Sequence, residues 1–121
     1  MCFIASISTY AATYHWRGGT SGTWETGSNW TPGVPSNTGT DNLIFSSGAT
    51  FQSITYATNK VANSLSFDTT TGVYTLTPIA SANLSVGTGG ITVKGPNGVT
   101  FAGSGGQGII LTGSQTWNAT S

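Results

Sequence analysis

Several short stretches of this chain alternate apolar and polar side chains with a period of two, the pattern of a strand with one buried face. They are Asp41-Asn42-Leu43-Ile44-Phe45, Phe51-Gln52-Ser53-Ile54-Thr55-Tyr56, Ser64-Leu65-Ser66-Phe67 and Val73-Tyr74-Thr75-Leu76-Thr77. Leu, Phe, Ile, Val and Tyr are expected to point inward, and Ser, Thr and Gln outward. No window sustains the 3.6-residue apolar stripe of a helix, glycine occurs 18 times, and the strong helix formers are scarce. The pattern predicts an all-β chain.

Laid over one another, the stretches repeat. Asn42-Leu43-Ile44-Phe45, Asn63-Ser64-Leu65-Ser66-Phe67 and Asn83-Leu84-Ser85-Val86 each set an asparagine ahead of a Leu-x-Phe or Leu-x-Val pair, and Leu43, Leu65 and Leu84 are spaced by 22 and 19 positions. Spacing near 20 is in the solenoid range. Farther on, glycine brackets shorter strands at Gly90-Ile91-Thr92-Val93-Lys94-Gly95, Gly98-Val99-Thr100-Phe101-Ala102-Gly103 and Gly108-Ile109-Ile110-Leu111-Thr112-Gly113. Two architectures fit: a parallel β-helix, in which Leu43, Leu65 and Leu84 stack up the core, and an antiparallel β-sandwich. Hairpin chemistry is thin, Pro96-Asn97-Gly98 being the one strong turn signal, so the β-helix is expected.

Ahead of these strands stand two tryptophan phrases, Trp16-Arg17-Gly18-Gly19 and Thr23-Trp24 through Asn29-Trp30-Thr31-Pro32-Gly33-Val34-Pro35. With Tyr14, the indoles of Trp16, Trp24 and Trp30 have two readings: an exposed aromatic platform for a sugar ring, or an apolar plug closing the first turn of the solenoid. Their position where the coil must begin favours the plug, and Pro32 and Pro35 then end edge pairing because they have no N–H to offer.

Composition narrows the function. Three basic and three acidic residues give a formal net charge of zero, which argues against nucleic acid and against electrostatic binding to a membrane surface. Thirteen aromatic side chains (four Trp, four Tyr, five Phe) and the absence of net charge also set the chain apart from disordered sequences. No apolar run approaches a membrane-spanning helix. Residues 1–12 resemble the end of a truncated signal peptide, lacking a basic start but ending in small residues. Cys2, the single cysteine, falls within that segment.

The residues also carry a family likeness. Trp16-x-Gly18-Gly19, Trp24, Asn29-Trp30 and Val34-Pro35, followed by Asp41-Asn42-Leu43-Ile44-Phe45, resemble the start of bacterial proteins with autotransporter-associated β-strand repeats. Gly108-Ile109-Ile110-Leu111-Thr112-Gly113-Ser114-Gln115-Thr116-Trp117-Asn118 resembles a recurring phrase of the same family. The resemblance implies a right-handed parallel β-helix, part of a long exported passenger displayed at or released from the cell surface and anchored elsewhere by a C-terminal element. On this reading the chain is an N-terminal fragment, organised as a possible signal remnant (1–12), a Trp/Gly-rich cap (13–40) and solenoid rungs (41–121). An uncapped last rung would leave a strand edge open to self-association.

Candidate chemistry is sparse. Glu25, Asp41 and Asp68 are the only carboxylates, and Asp68 opens Asp68-Thr69-Thr70-Thr71-Gly72, where capping a turn is the expected role. The lone His15 has no second His or partner Cys to complete a metal site. Gly103-Ser104-Gly105-Gly106-Gln107-Gly108 fits a dinucleotide fingerprint on paper, but a strand follows it rather than a helix, so it reads as a corner loop. Glycine-rich Gly18-Gly19-Thr20-Ser21-Gly22 lacks the aspartates of calcium-binding repeats. Sequons at Asn29, Asn83 and Asn118 carry little meaning in so Asn/Thr-rich a sequence. No catalytic residue, cofactor or metal is expected.

Three functions stay open: a non-enzymatic surface or adhesin-like structural protein meeting extracellular glycans or host cells, a carbohydrate-binding module using exposed tryptophans, and a polysaccharide-degrading enzyme.

Overall fold

The computed structural model describes residues 11–103 and 106–121. The expectations for a signal remnant and for Cys2 therefore fall almost wholly outside the described residues. Ten strands form the fold: β1 (Thr13–Trp16), β2 (Trp30–Thr31), β3 (Asn42–Phe45), β4 (Ser53–Tyr56), β5 (Lys60–Asp68), β6 (Tyr74–Pro78), β7 (Leu84–Lys94), β8 (Val99–Phe101), β9 (Ile109–Leu111) and β10 (Trp117–Thr120). One sheet runs β10-β7-β5-β3-β1-β2 with β9 also on β7, and a second runs β4-β6-β8. Every pairing but one is parallel, with continuous register except for one shift between β5 and β7. This is a β-solenoid of about four turns, and the parallel pairing excludes the sandwich.

Each turn contributes three straight runs, as in Asn42–Phe45, Ser53–Tyr56 and Lys60–Ala62. The long strands β5 and β7 hold two runs apiece. Their register shifts between Ala62 and Ser64, where Asn63 faces the longer Gly87-Thr88-Gly89. At this corner a Cβ on Gly89 would lie 2.7 Å from the Ser64 side chain, so glycine lets the two turns approach.

Stacking turns in register stacks like residues. Tyr14, Leu43, Leu65, Ile91 and Trp117 form one column, and Trp16, Phe45, Phe67 and Val93 the next. Ile54–Leu76–Phe101 and Ala62–Val86–Leu111 line the other walls. Phe45 and Phe67 stack with ring centroids 4.4 Å apart and 14° between planes. Burying each large apolar side chain contributes roughly 1.5–3 kcal/mol, and the columns are buried at Leu43, Leu65, Ile91, Phe45, Phe67, Ile54 and Leu76, with Tyr14, Val93 and Phe101 half-buried at their ends.

Three expectations need correction. Leu84 does not stack on Leu65; Ile91 does, and Leu84 sits in the third wall between Lys60 and Ile109. The asparagine phrase repeats in sequence without repeating in space, because it falls on the first run of β7, beside Lys60–Ala62, whereas in β5 it falls on the second. Pro96-Asn97-Gly98 is no hairpin. It is a coil corner carrying the chain from β7 into the other sheet, and it is tied to the preceding turn by hydrogen bonds from the Asn97 amide to the Thr69 carbonyl and from the Thr69 hydroxyl to the Asn97 carbonyl. Phe51 and Val73 face solvent rather than the core, since Ile54, Tyr56, Tyr74 and Leu76 take the inward phase of their strands.

The exception to parallel pairing is β2, which runs antiparallel to β1 and sets His15 opposite Thr31 and Trp16 opposite Trp30. It covers the free edge of the first turn and ends at a cis Thr31–Pro32 peptide. No helix among the described residues is long and apolar enough to cross a membrane.

Candidate functional site

The tryptophan segment closes the N-terminal end of the coil. Trp16, at the end of β1, is fully buried and donates from its indole Nε1 to the Phe51 carbonyl at 2.8 Å. Trp30, on β2, donates to the Trp24 carbonyl at 2.8 Å. The rings meet edge-on or tilted, Trp16 to Trp30 at 5.0 Å and Trp24 to Trp30 at 4.9 Å, and the cluster continues into Phe45 and Tyr56. These separations lie in the favourable range for aromatic pairs. Tyr14 is half-buried against the same core. No indole face of Trp16, Trp24 or Trp30 is open to solvent; the exposed tryptophan is Trp117, on β10.

A buried amide fixes the loop between Trp16 and Trp30. Asn29 accepts at Oδ1 from the N–H groups of Thr20 (3.0 Å) and Ser21 (3.1 Å), and its Nδ2 donates to Ser21 Oγ and to the Thr23 carbonyl. A fully buried polar side chain is tolerated because both ends are satisfied. Gly18 passes the same ring at φ +51°, where a Cβ would lie 2.7 Å from Trp16 Nε1 and 2.6 Å from the Phe51 carbonyl oxygen.

Each carboxylate is engaged in local structure. Glu25 pairs with the buried Lys60 ammonium at 2.7 Å and accepts from the Ala57 N–H. Burial pushes its carboxyl up, but the hydrogen bonds from Lys60 and Ala57 and the Lys60 charge outweigh this and hold it below its ordinary value. Asp41, buried, accepts from the Ser36 N–H and hydroxyl. Asp68 accepts from the hydroxyl and N–H of Thr70, which hold its carboxyl low, and so it caps its corner. The Tyr74 phenol, buried and donating to the Ser46 carbonyl, is pushed well up, by burial first and then by the Asp68 charge.

Among the described residues no group of His, Cys, Asp and Glu is placed to hold a metal, and the surface has no pocket. His15 is half-buried on β1 opposite Thr31. Of the glycine-rich hexapeptide, Ser104 and Gly105 lie outside the described residues, and Ile109–Leu111 beyond it is a strand. Sequence reasoning overlooked Lys60, whose place at a core position is disguised by its charge, and the buried role of Asn29, noted only as a sequon and as part of the tryptophan phrase.

No family model, curated protein or solved structure matches this chain.

Proposed function

We propose that the chain is a non-enzymatic structural segment of an exported, surface-displayed, adhesin-like protein of the autotransporter-passenger type. One observation carries the reading: the carboxylates and the three N-terminal indoles that a site would need are spent on holding the coil together. Glu25, Asp41 and Asp68 each fasten a corner or the cap, and Trp16, Trp24 and Trp30 fill the first turn. A rod of stacked turns serves as a spacer or contact surface without a concave site. The tryptophan and strand phrases that resemble autotransporter-associated repeats support the exported setting.

The test is epitope-tagged full-length protein in its own cells. Surface labelling of intact cells and their attachment to glycan-coated and host-cell surfaces are measured with and without the gene. Tag signal only after cell lysis, or attachment indifferent to deletion, would sink the reading.

A further inference from the structure

The two sheets differ on their outer faces. On the β4-β6-β8 sheet, the residues alternating with buried Ile54, Tyr56, Tyr74 and Leu76 are Ser53, Thr55, Thr75 and Thr77, and Thr100 follows on β8. Register aligns them in two columns: Ser53–Thr75–Thr100, and Thr23–Thr55–Thr77, the first step of the second being a parallel bridge. Neighbouring members of a column are one strand apart, about 4.8 Å, and the columns are two residues apart, about 6.7 Å. Among the described residues these six hydroxyls bond to no other protein group, whereas those of Ser64, Thr69, Thr70 and Thr71 are tied into the fold.

No charged residue falls within 51–57, 73–79 or 98–102, and Glu25, two residues beyond Thr23 at the margin of this wall, is tied to Lys60 and to the Ala57 N–H. Exposed Phe51 and Val73 flank the columns on one side and Ile79 on the other. The outer face of the other sheet is mixed by comparison: its register rows carry Ile44, Ser66, Thr92 and Asn118, and Asp68 beside Lys94.

A partner for the threonine wall must match four properties. It is uncharged, because the columns carry no ion and the Glu25 carboxylate at their margin is already paired with Lys60. It is extended and flat, because no pocket opens among the described residues. It engages single hydroxyls at fixed two-dimensional spacing, because β-branched threonine has restricted χ1 rotamers and the sheet fixes each Cα. It does not depend on aromatic stacking, since the wall bears no row of exposed rings. A neutral crystalline glycan meets the first three, but its flat faces are gripped chiefly by coplanar aromatics. The oxygen layer on a prism face of ice is flat, uncharged and periodic in two dimensions, and meets all four. Hydroxyls there bond lattice water while the threonine methyls and flanking apolar groups order the water between them.

We propose that the outer face of the β4-β6-β8 sheet is an ice-binding surface, engaging the lattice through its two hydroxyl columns of five threonines and Ser53. This reading is independent of surface display.

The purified chain is tested by partition into slowly growing ice and by the shape of single ice crystals grown in its presence. The parent protein is expected to concentrate in the ice fraction and to facet the crystals. Thr75→Lys and Thr77→Lys, each placing a solvated cation on the wall, are expected to return partition to that of an unrelated protein, with circular dichroism confirming the fold of both. Ser66→Lys and Thr92→Lys, on the other sheet, are expected to leave partition unchanged. Exclusion of the parent from ice, partition that survives both wall substitutions, or equal loss from substitutions on either sheet overturns the proposal. So does binding to crystalline cellulose or chitin that Thr77→Lys abolishes while ice is ignored, which would make the wall a glycan site.

Discussion

Lys60 reaches from the second turn to Glu25 in the N-terminal cap, Nζ to Oε1 at 2.7 Å, and joins the two by the one ion pair among the described residues. The partners are unequal. Lys60 is buried and occupies a core column whose later members are Leu84 and Ile109, while Glu25 is about a third exposed.

Glu25→Gln leaves a buried ammonium without its counter-charge. It is expected to cost about 1–2 kcal/mol, more than a surface pair and less than a fully buried one. Lys60→Leu removes the ammonium and extends the apolar column, so its expected effect is neutral or stabilising. Urea unfolding of the two variants checks this asymmetry; equal losses would contradict it.

Acid should loosen the cap. The folded Glu25 carboxyl gives up its proton at a lower pH than the unfolded one, whose ordinary value is 4.5, so the unfolded chain binds more protons in that interval. The contribution is therefore complete above the unfolded value and lost as pH falls through the folded one. Asp68 acts in the same direction. Melting temperature followed downward from about pH 6 is expected to fall less steeply in Lys60→Leu, which keeps only the Asp68 contribution in full.

Asn29→Asp tests the buried amide. The carboxylate keeps the two acceptor bonds from Thr20 and Ser21 but has no donor for the Thr23 carbonyl, and it is a charge in a dry site. A loss of about 3 kcal/mol or more is expected at neutral pH. Protonation restores one donor, so the variant should approach the parent's stability as pH falls, and a constant deficit would refute this assignment.

Tryptophan emission separates the four indoles. Trp16, Trp24 and Trp30 are buried and Trp117 is 54% exposed. Acrylamide is expected to quench mainly a red-edge component that Trp117→Phe removes. Strong quenching that persists in that variant would mean that the cap indoles are open to ligand.

Gly90→Ala examines the joint between the third and fourth turns. Gly90 has φ +71°, and a Cβ there would lie 2.3 Å from the Thr116 carbonyl oxygen. Left-handed backbone alone costs a non-glycine residue about 1–2 kcal/mol, and the clash adds to it. Hydrogen exchange is expected to speed up over Trp117–Thr120 while β3 and β5 stay protected.

Much of this architecture was legible in the residues. Period-two alternation marks β3, β5 and β6 because each has one face in the core and one in water, and the wide turn spacing follows from repeating them. The phase of the third turn was not legible. Asn83-Leu84-Ser85-Val86 imitates Asn42-Leu43-Ile44-Phe45, but a strand as long as β7 crosses two walls, and local pattern does not say which wall a leucine lines. Lys60 was hidden for a different reason: its core position depends on a carboxylate 35 residues earlier. The threonine columns appear in sequence only as the polar halves of strands, and their alignment exists only once the turns are stacked.

Strand β2 covers the edge of β1 with residues only about fifteen positions away in the chain, whereas later in-register partners such as Leu43 and Leu65, or Leu65 and Ile91, lie 22 and 26 positions apart. Loop closure varies slowly with length, so every turn faces nearly the same entropic cost, and what sets the first apart is that its antiparallel closure of β2 on β1 needs no earlier turn to pair with. The cap thus supplies a starting point and a direction. Order can spread from the amino terminus one turn at a time, each finished edge templating the next, so the folding rate of such a coil need not fall with each turn added.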